Sequence, residues 1–426
     1  GTGQVAWREL RNGVVASPAA AVLARRLTDC GLAHPRPTAA TDLTVTIVIP
    51  VHGRAAELER GLAAIAARTQ VVVVDDGSPD ANRIAAVAER HGARLVRRDR
   101  NEGPAAARNA GIAAVDTDLV AFLDSDCVAS PDWIDRLSGH FADPLVGAVA
   151  PRIVTARAAA DGYLANCSPL DLGPDEGRVH PAGRVTYVPT AALVVRRGAL
   201  THVGGFDPDL RYGEDVDLIW RLDAAGWRVR YDPSVEVAHD DPVSWRERLG
   251  RRYRYGTSAA SLATRHPGAL THLVARPWPL LTAAGVLSRR PVVTAAGVVA
   301  TATATRHSLR RAEATDIGIA RATSTGLAAT WLGVGRYATQ FAAPLLLAAV
   351  ARRGRRRSRV AVLAALSVAP PLVDWARSRP AVGPARYVAG RLADDAAYGA
   401  GVYAGCIKER TLSPIKVVLR RRGSEH

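Results

Sequence analysis

The chain has 426 residues and a formal net charge of +16, a length for one large domain or two to three smaller ones. Its four cysteines, Cys30, Cys127, Cys167 and Cys406, are scattered with no Cys-x-x-Cys pair, which argues against a zinc site or a disulfide scaffold and fits a reducing compartment. The charge is uneven: residues 1–240 carry 26 basic and 31 acidic groups, residues 241–426 carry 30 and 9, so the second half suits an anionic partner unless its arginine-rich usage is compositional.

Residues 1–14 are polar and mixed, unlike a secretory signal, and no methionine stands at position 1, so residue 1 need not be the native start. Residues 1–43 read as the end of a small helical module and a linker. Ser17 can cap a helix running to Cys30, Pro18 suits its first position, and Gly31 follows its end. Pro35-Arg36-Pro37 is the linker.

From Thr44 strands and helices alternate. Strands are predicted over residues 45–50, 71–74, 94–96 and 119–123, and helices over 55–67, 81–91 and 104–115. That alternation predicts a parallel sheet covered on both faces. Three strand ends carry polar loops, Val51-His52-Gly53, Asp75-Asp76-Gly77-Ser78 and Asp124-Ser125-Asp126, all expected on one edge of the sheet, where open α/β sheets bind ligands. No Gly-x-Gly-x-x-Gly follows the first strand and no Walker-type loop occurs, which disfavours a dinucleotide enzyme or a P-loop NTPase.

The apolar run Leu119-Val120-Ala121-Phe122-Leu123 ends abruptly in Asp124-Ser125-Asp126. In an extended chain Asp124 and Asp126 point to one side, roughly 7 Å apart, and could hold a hard cation that bridges to phosphates. The alternative is a turn with two solvated aspartates. Asn101-Glu102-Gly103 precedes a helix whose opening turns carry Arg108; such a helix end can receive a phosphate, or is a capped helix with a surface arginine.

Further strands are predicted over 146–149 and 193–195, with an irregular Pro/Gly-rich stretch between. Gly213-Glu214-Asp215 then opens a helix with Leu218, Ile219 and Leu222 on its apolar face. Acidic residues in a first turn are also ordinary helix-dipole partners. Strands over 229–231 and 235–238 lead to His239.

Together Ile47-Val48-Ile49-Pro50, Val74-Asp75-Asp76-Gly77-Ser78, Asn101-x-Gly103 with Ala107-Arg108-Asn109, Asp124-x-Asp126 and Gly213-Glu214-Asp215 resemble the family 2 inverting glycosyltransferases of GT-A fold, across residues 44–256. The resemblance implies an α/β fold with a Rossmann-like, mostly parallel sheet and helices on both faces. It implies a UDP-sugar donor and Mg²⁺ or Mn²⁺ held by Asp126 and Asp124. Pro50, His52 and Asp76 would lie near the uridine with Asp75 beside them, and Asn101, Gly103, Arg108 and Ser125 would also serve the donor. Asp215 matches the family's general base, Glu214 would orient the acceptor, and His239 would be a metal ligand, a diphosphate contact or a structural residue. More narrowly, Ala33-His34-Pro35-Arg36-Pro37 before the first strand and the basic Ala-rich tail resemble the mycofactocin-pathway members. These are understood to add β-1,4-linked glucose to a peptide-derived redox cofactor precursor. A cell-wall or lipid-linked acceptor, or a non-catalytic nucleotide-sugar or lipid-surface binding protein, are the competing readings; intact Asp124, Asp126 and Asp215 speak against the last.

Residues 257–426 are expected to form a basic helical region. Apolar runs over 278–288 continuing to 291–305, 337–351 and 360–373 are each short of the ~20 residues a spanning helix needs. With the clusters Arg355-Arg356-Arg357 and Arg420-Arg421-Arg422 they suit either peripheral attachment to the inner face of a membrane or a soluble platform in the cytoplasm. Arg251-Arg252-x-Arg254-Tyr255-Gly256 departs from the Gln-x-x-Arg-Trp motif of processive synthases and could close over a diphosphate. The arginine clusters lack interleaved aromatics, so no nucleic-acid partner is expected.

Overall fold

A computed structural model describes residues 1–37, 40–66, 69–156, 162–181, 183–242, 244–311, 318–343 and 356–419. The chain forms two compact units, residues 1–160 with 167–241, and residues 161–166 with 242–426.

Two helices open the first unit. Thr2–Arg11 was not anticipated. Pro18–Asp29 starts as expected, with the Ala20 N–H donating to Ser17 Oγ (3.2 Å). Asp29 at its end receives a bidentate pair from Arg228 (2.8 and 2.9 Å), which fixes this helix on the strand that carries Arg228.

The sheet strands are β1 (Val45–Val51), β2 (Gln70–Asp76), β3 (Arg94–Arg98), β4 (Leu119–Leu123), β5 (Cys127–Ala129), β6 (Val146–Thr155), β7 (Gly177–Val179), β8 (Ala192–Arg196) and β9 (Arg228–His239). Among the described residues their order is β3-β2-β1-β4-β8-β6-β9-β5, with β7 on β9. β3, β2, β1 and β4 are parallel, but β8 lies antiparallel to both β4 and β6. The sheet is therefore mixed, and the expectation of a parallel one holds for its first half. The topology accounts for it: β6 comes before β8 in the chain and lies beyond it in the sheet, and β8 returns between β4 and β6, antiparallel to both. The two short strands predicted before His239 are one twelve-residue strand.

β4 sits between β1 and β8, and all five of its side chains are buried, which is why it reads as an unbroken apolar run. The chain builds β2 and β3 to one side of β1 and then crosses to β4 on the other. That reversal opens a crevice between the carboxyl ends of β1 and β4, and the polar loops after β1, β2 and β4 all lie at this edge.

The second unit is helical: Trp245–Thr257, Ala259–Arg265, Pro277–Ser288, Pro291–Arg311, Ile319–Phe341, Arg356–Ser378 and Pro384–Lys408. Its first and last helices cross closely. A Cβ on Gly256 would lie 2.2 Å from the Tyr398 carbonyl oxygen, and one on Gly401 2.0 Å from that of Tyr253. Arg248 and Asp394, both buried, are joined at 2.9 and 2.6 Å across the same interface, with the Tyr163 hydroxyl donating to Asp394 (2.8 Å). Arg252 lies over the Tyr398 ring, 5.0 Å from its centre. Among the described residues no helix is long and apolar enough to cross a membrane. The expected apolar run over 337–351 extends beyond the described residues, as do Arg355 and Arg420-Arg421-Arg422.

Candidate active site

The loops after β1 and β2 hold one another. The Asp75 carboxylate, fully buried, accepts from the Ser78 N–H (2.9 Å) and pairs with Arg97. Asp76 accepts from the N–H groups of Glu102 (3.2 Å) and Gly103 (2.8 Å) and from Arg98 (3.1 Å). The two arginines stand directly opposite the two aspartates in the β2–β3 register. His52 Nδ1 donates to the Asp76 carbonyl (2.9 Å), and the Gly53 N–H donates to Ser78 Oγ (2.8 Å). Asp75, Asp76, His52, Gly103 and the half-buried Pro50 thus share one rim, with Asn101 exposed at its outer end.

Asp124-Ser125-Asp126 is not extended. The Cys127 N–H donates to the Asp124 carbonyl (2.9 Å), closing a tight turn into β5. The extended geometry expected of a strand end therefore does not hold here, and the two carboxylates take different arginines. Asp124 accepts from Arg108 Nη2 (2.8 Å), while Asp126 pairs with Arg54. Ser125 is buried between them.

Arg108 is buried too, not a surface residue. Its Nη1 donates to Glu214 Oε1 (2.9 Å), so one guanidinium bridges the end of β4 and the head of the helix Glu214–Ala224. It reaches there because Gly111, on the same helix, lets that helix close on β1: a Cβ at Gly111 would meet Val48 at 2.2 Å. Burial works against the Arg108 charge, but Asp124 and Glu214 outweigh it and hold the group firmly protonated. Burial raises the Glu214 pKa against the pull of Arg108. The neighbouring Asp215, part-exposed, has its pKa pushed up to about 7 by burial and then by the Glu214 charge. Asp217 is committed elsewhere, accepting from Arg221 (2.7 Å), and Trp220 is core, its Nε1–H donating to the Thr186 carbonyl (2.8 Å).

His239 ends β9 directly opposite Cys127. Its Nδ1 faces Asp241 Oδ1 (3.2 Å); a carboxylate only accepts, so Nδ1 carries the hydrogen there, while Nε2 lies 3.8 Å from Asp126 Oδ1. The His239 bond holds Asp241 below the ordinary carboxylate range, although burial acts the other way. Among the described residues no cluster of three or more His, Cys, Asp or Glu is arranged to hold a metal. The pair Asp126–His239 nevertheless has the donor chemistry for one: a carboxylate oxygen suits Mg²⁺ and Mn²⁺, and an imidazole beside it favours Mn²⁺.

Sequence reasoning missed Arg54 and Arg60. Arg54 precedes the helix Ala55–Ala63, which lies against β5, and Arg60 on that helix pairs with Asp240. Only the adjacency of Arg54 to the first polar loop hinted at it.

Residues 46–199 match the family model described as glycosyl transferase family 2. The pre-mycofactocin glycosyltransferase of Mycobacterium tuberculosis (strain ATCC 25618 / H37Rv) is 39% identical over 420 residues, covering 94% of this chain and 87% of the relative. The N-acetylglucosaminyl-diphospho-decaprenol L-rhamnosyltransferase of the same strain is 48% identical over 64 residues, 15% of this chain and 21% of that protein. Among solved structures, the mannosyltransferase PcManGT from Pyrobaculum calidifontis, in complex with GDP-Man and Mn²⁺, aligns at 20% identity and TM-score 0.49 over 91% of this chain and 97% of that one, a likeness too loose to transfer chemistry. The long relative and the family match across β1 to β8 agree with the motifs at the sheet edge, and the chain belongs to glycosyltransferase family 2.

Proposed function

We propose that the chain is an inverting, metal-assisted glycosyltransferase that moves glucose from UDP-glucose, in β-1,4 linkage, onto a peptide-derived mycofactocin precursor. The observation that carries the mechanism is the Arg108 bridge, which joins Asp124 at the donor edge to Glu214 beside Asp215. Donor-side and acceptor-side carboxylates thereby belong to one rigid network. The acceptor is suggested by the name of the long M. tuberculosis relative.

In this reading the rim of Pro50, His52, Asp75, Asp76, Asn101 and Gly103 receives the uridine. Asp126 with His239 would hold Mg²⁺ or Mn²⁺, which supplies counter-charge for the departing diphosphate. Asp215 takes the proton of the acceptor hydroxyl as that oxygen bonds to the anomeric carbon. The bond from that carbon to the diphosphate breaks with its electron pair, and UDP leaves. A single displacement inverts the centre, so an α-linked donor gives a β-linked product. Glu214, fixed by Arg108, aligns the acceptor and raises the basicity of Asp215.

The test is transfer with labelled sugar. The purified chain, UDP-glucose, Mn²⁺ and the mycofactocin precursor should give a product one hexose heavier with a β-anomeric proton coupling. Transfer only to a polyprenyl-linked acceptor would favour the cell-wall reading, and UDP binding without transfer to any acceptor would make the chain a binding protein.

The helical unit is proposed to rest on anionic lipid. Trp278, Val286, Leu287, Val292, Val298 and Val299 are exposed on Pro277–Ser288 and Pro291–Arg311, flanked by exposed Arg276, Arg289, Arg290 and Arg306. Apolar residues interleaved with cations suit the headgroup boundary. The protein should sediment with phosphatidylglycerol vesicles at low salt and be released at high salt, because the lipid attraction is screened. Recovery in the supernatant at low salt would make the region a plain helical platform.

A further inference from the structure

We propose that Arg54 is a donor-sensing residue: it neutralises Asp126 while the site is empty, and it leaves for the donor's diphosphate when that arrives, so that cation binding is conditional on the nucleotide. The inference rests on the metal reading of Asp126 and His239 given above.

Three observations carry it. First, the guanidinium of Arg54 pairs with Oδ2 of Asp126, the carboxylate whose other oxygen faces His239. A cation on Asp126 and a guanidinium on Asp126 repel one another, and the carboxylate's one charge cannot balance both. Second, the two arginines on this pair of aspartates differ in freedom. The Arg108 side chain is 4% exposed and bridges two carboxylates, so it is fixed. The Arg54 side chain is 47% exposed, so it can turn into solvent or onto a ligand without a buried vacancy. Third, the backbone aims it. Gly53 has φ 66° and Arg54 φ 59°, a left-handed pair in which a non-glycine side chain is uncommon. Such conformations persist where the surroundings enforce them. Here they bring Arg54 from the end of β1 across the crevice to the turn after β4.

A diphosphate entering that crevice offers Arg54 a planar, bidentate partner with more charge than one carboxylate. The exchange leaves neither residue unpaired: Arg54 passes from Asp126 to the diphosphate, and the cation takes its place on Asp126.

Mn²⁺ binding followed by electron paramagnetic resonance, with no donor or acceptor present, reads this without turnover. Wild-type protein should bind Mn²⁺ weakly alone and much more tightly with UDP. Arg54→Ala should bind Mn²⁺ alone roughly tenfold tighter or more, since a like charge is removed from the seat, and should bind UDP more weakly. Arg54→Gly, which takes the left-handed backbone without strain, should behave like Arg54→Ala and guards against a folding defect in that variant. Equal Mn²⁺ affinity of wild type and both variants, with UDP-dependent Mn²⁺ binding intact, overturns the role of Arg54 and leaves the metal reading standing. Loss of any Mn²⁺ effect on UDP binding in wild type removes the metal reading and this inference together.

Discussion

Asp215→Asn should lower turnover by about 10²–10⁴-fold while donor binding persists, because the amide cannot take the acceptor's proton. Neither neighbour can stand in. Glu214 is held by Arg108, and Asp217 by Arg221. The wild-type pH profile should identify the same group. As the proposed base Asp215 would act ionised, and its pKa is pushed up to about 7, so kcat/KM should rise through about pH 7 and level off above it, and this inflection should vanish in the variant. Stability should move the other way. A carboxyl whose folded pKa lies above its unfolded value favours the fold while protonated, and that contribution is lost as pH rises through about 7. The neutral amide escapes that loss, so at pH 8 the variant should melt no lower than wild type. Near-normal turnover with the inflection retained would assign the proton transfer to another group.

The parts of the fold and of this site that were legible in the sequence are those set by local pattern. The unbroken apolar run of β4, the helix cap at Ser17, and the polar ends of β1, β2 and β4 follow from periodicity and from where strands stop. The ion pairs do not. Arg108 and Glu214 are 106 positions apart, and an arginine early in a helix reads equally as a solvated surface group; only the close approach of the helix over Gly111 turns it inward. The turn at Asp124-Ser125-Asp126 was hidden for a different reason. A three-residue strand, β5, follows the pair, and an element that short has no period to read. Without β5 the motif looks extended; with it, the chain must turn. The resemblance already offered His239 as a metal ligand, a diphosphate contact or a structural residue; its place beside the turn at Asp126 comes from its register opposite Cys127, which is a property of the sheet and not of the residues around it. Likewise the antiparallel entry of β8 depends on its return between β4 and β6, a long-range property.

Asp126→Ala should abolish the dependence of UDP affinity on Mn²⁺. The side chain removed is the carboxylate that faces His239, so the seat would keep its imidazole and lose its anionic oxygen, and a hard dication held by a neutral nitrogen alone has little affinity. The fold should survive. The turn is closed through the backbone, by the Cys127 N–H on the Asp124 carbonyl and the Asp240 N–H on the Asp126 carbonyl (3.0 Å), and alanine keeps both. Arg54, left without Asp126, is half in solvent already. The neighbouring carboxylate makes the contrast. Asp124→Ala would leave the buried guanidinium of Arg108 with Glu214 as its remaining hydrogen-bonded carboxylate, and losing one hydrogen bond to a charged group typically costs about 1.5–3 kcal/mol, so that variant should lose stability as well as activity. Titration calorimetry of UDP with and without Mn²⁺, beside a thermal melt, separates the two. The expected pattern is a normal melt and a vanished Mn²⁺ effect for Asp126→Ala, and a lowered melt for Asp124→Ala. A Mn²⁺ effect of wild-type size in Asp126→Ala would remove Asp126 from the cation site and would leave His239 as a residue that Asp241 merely anchors.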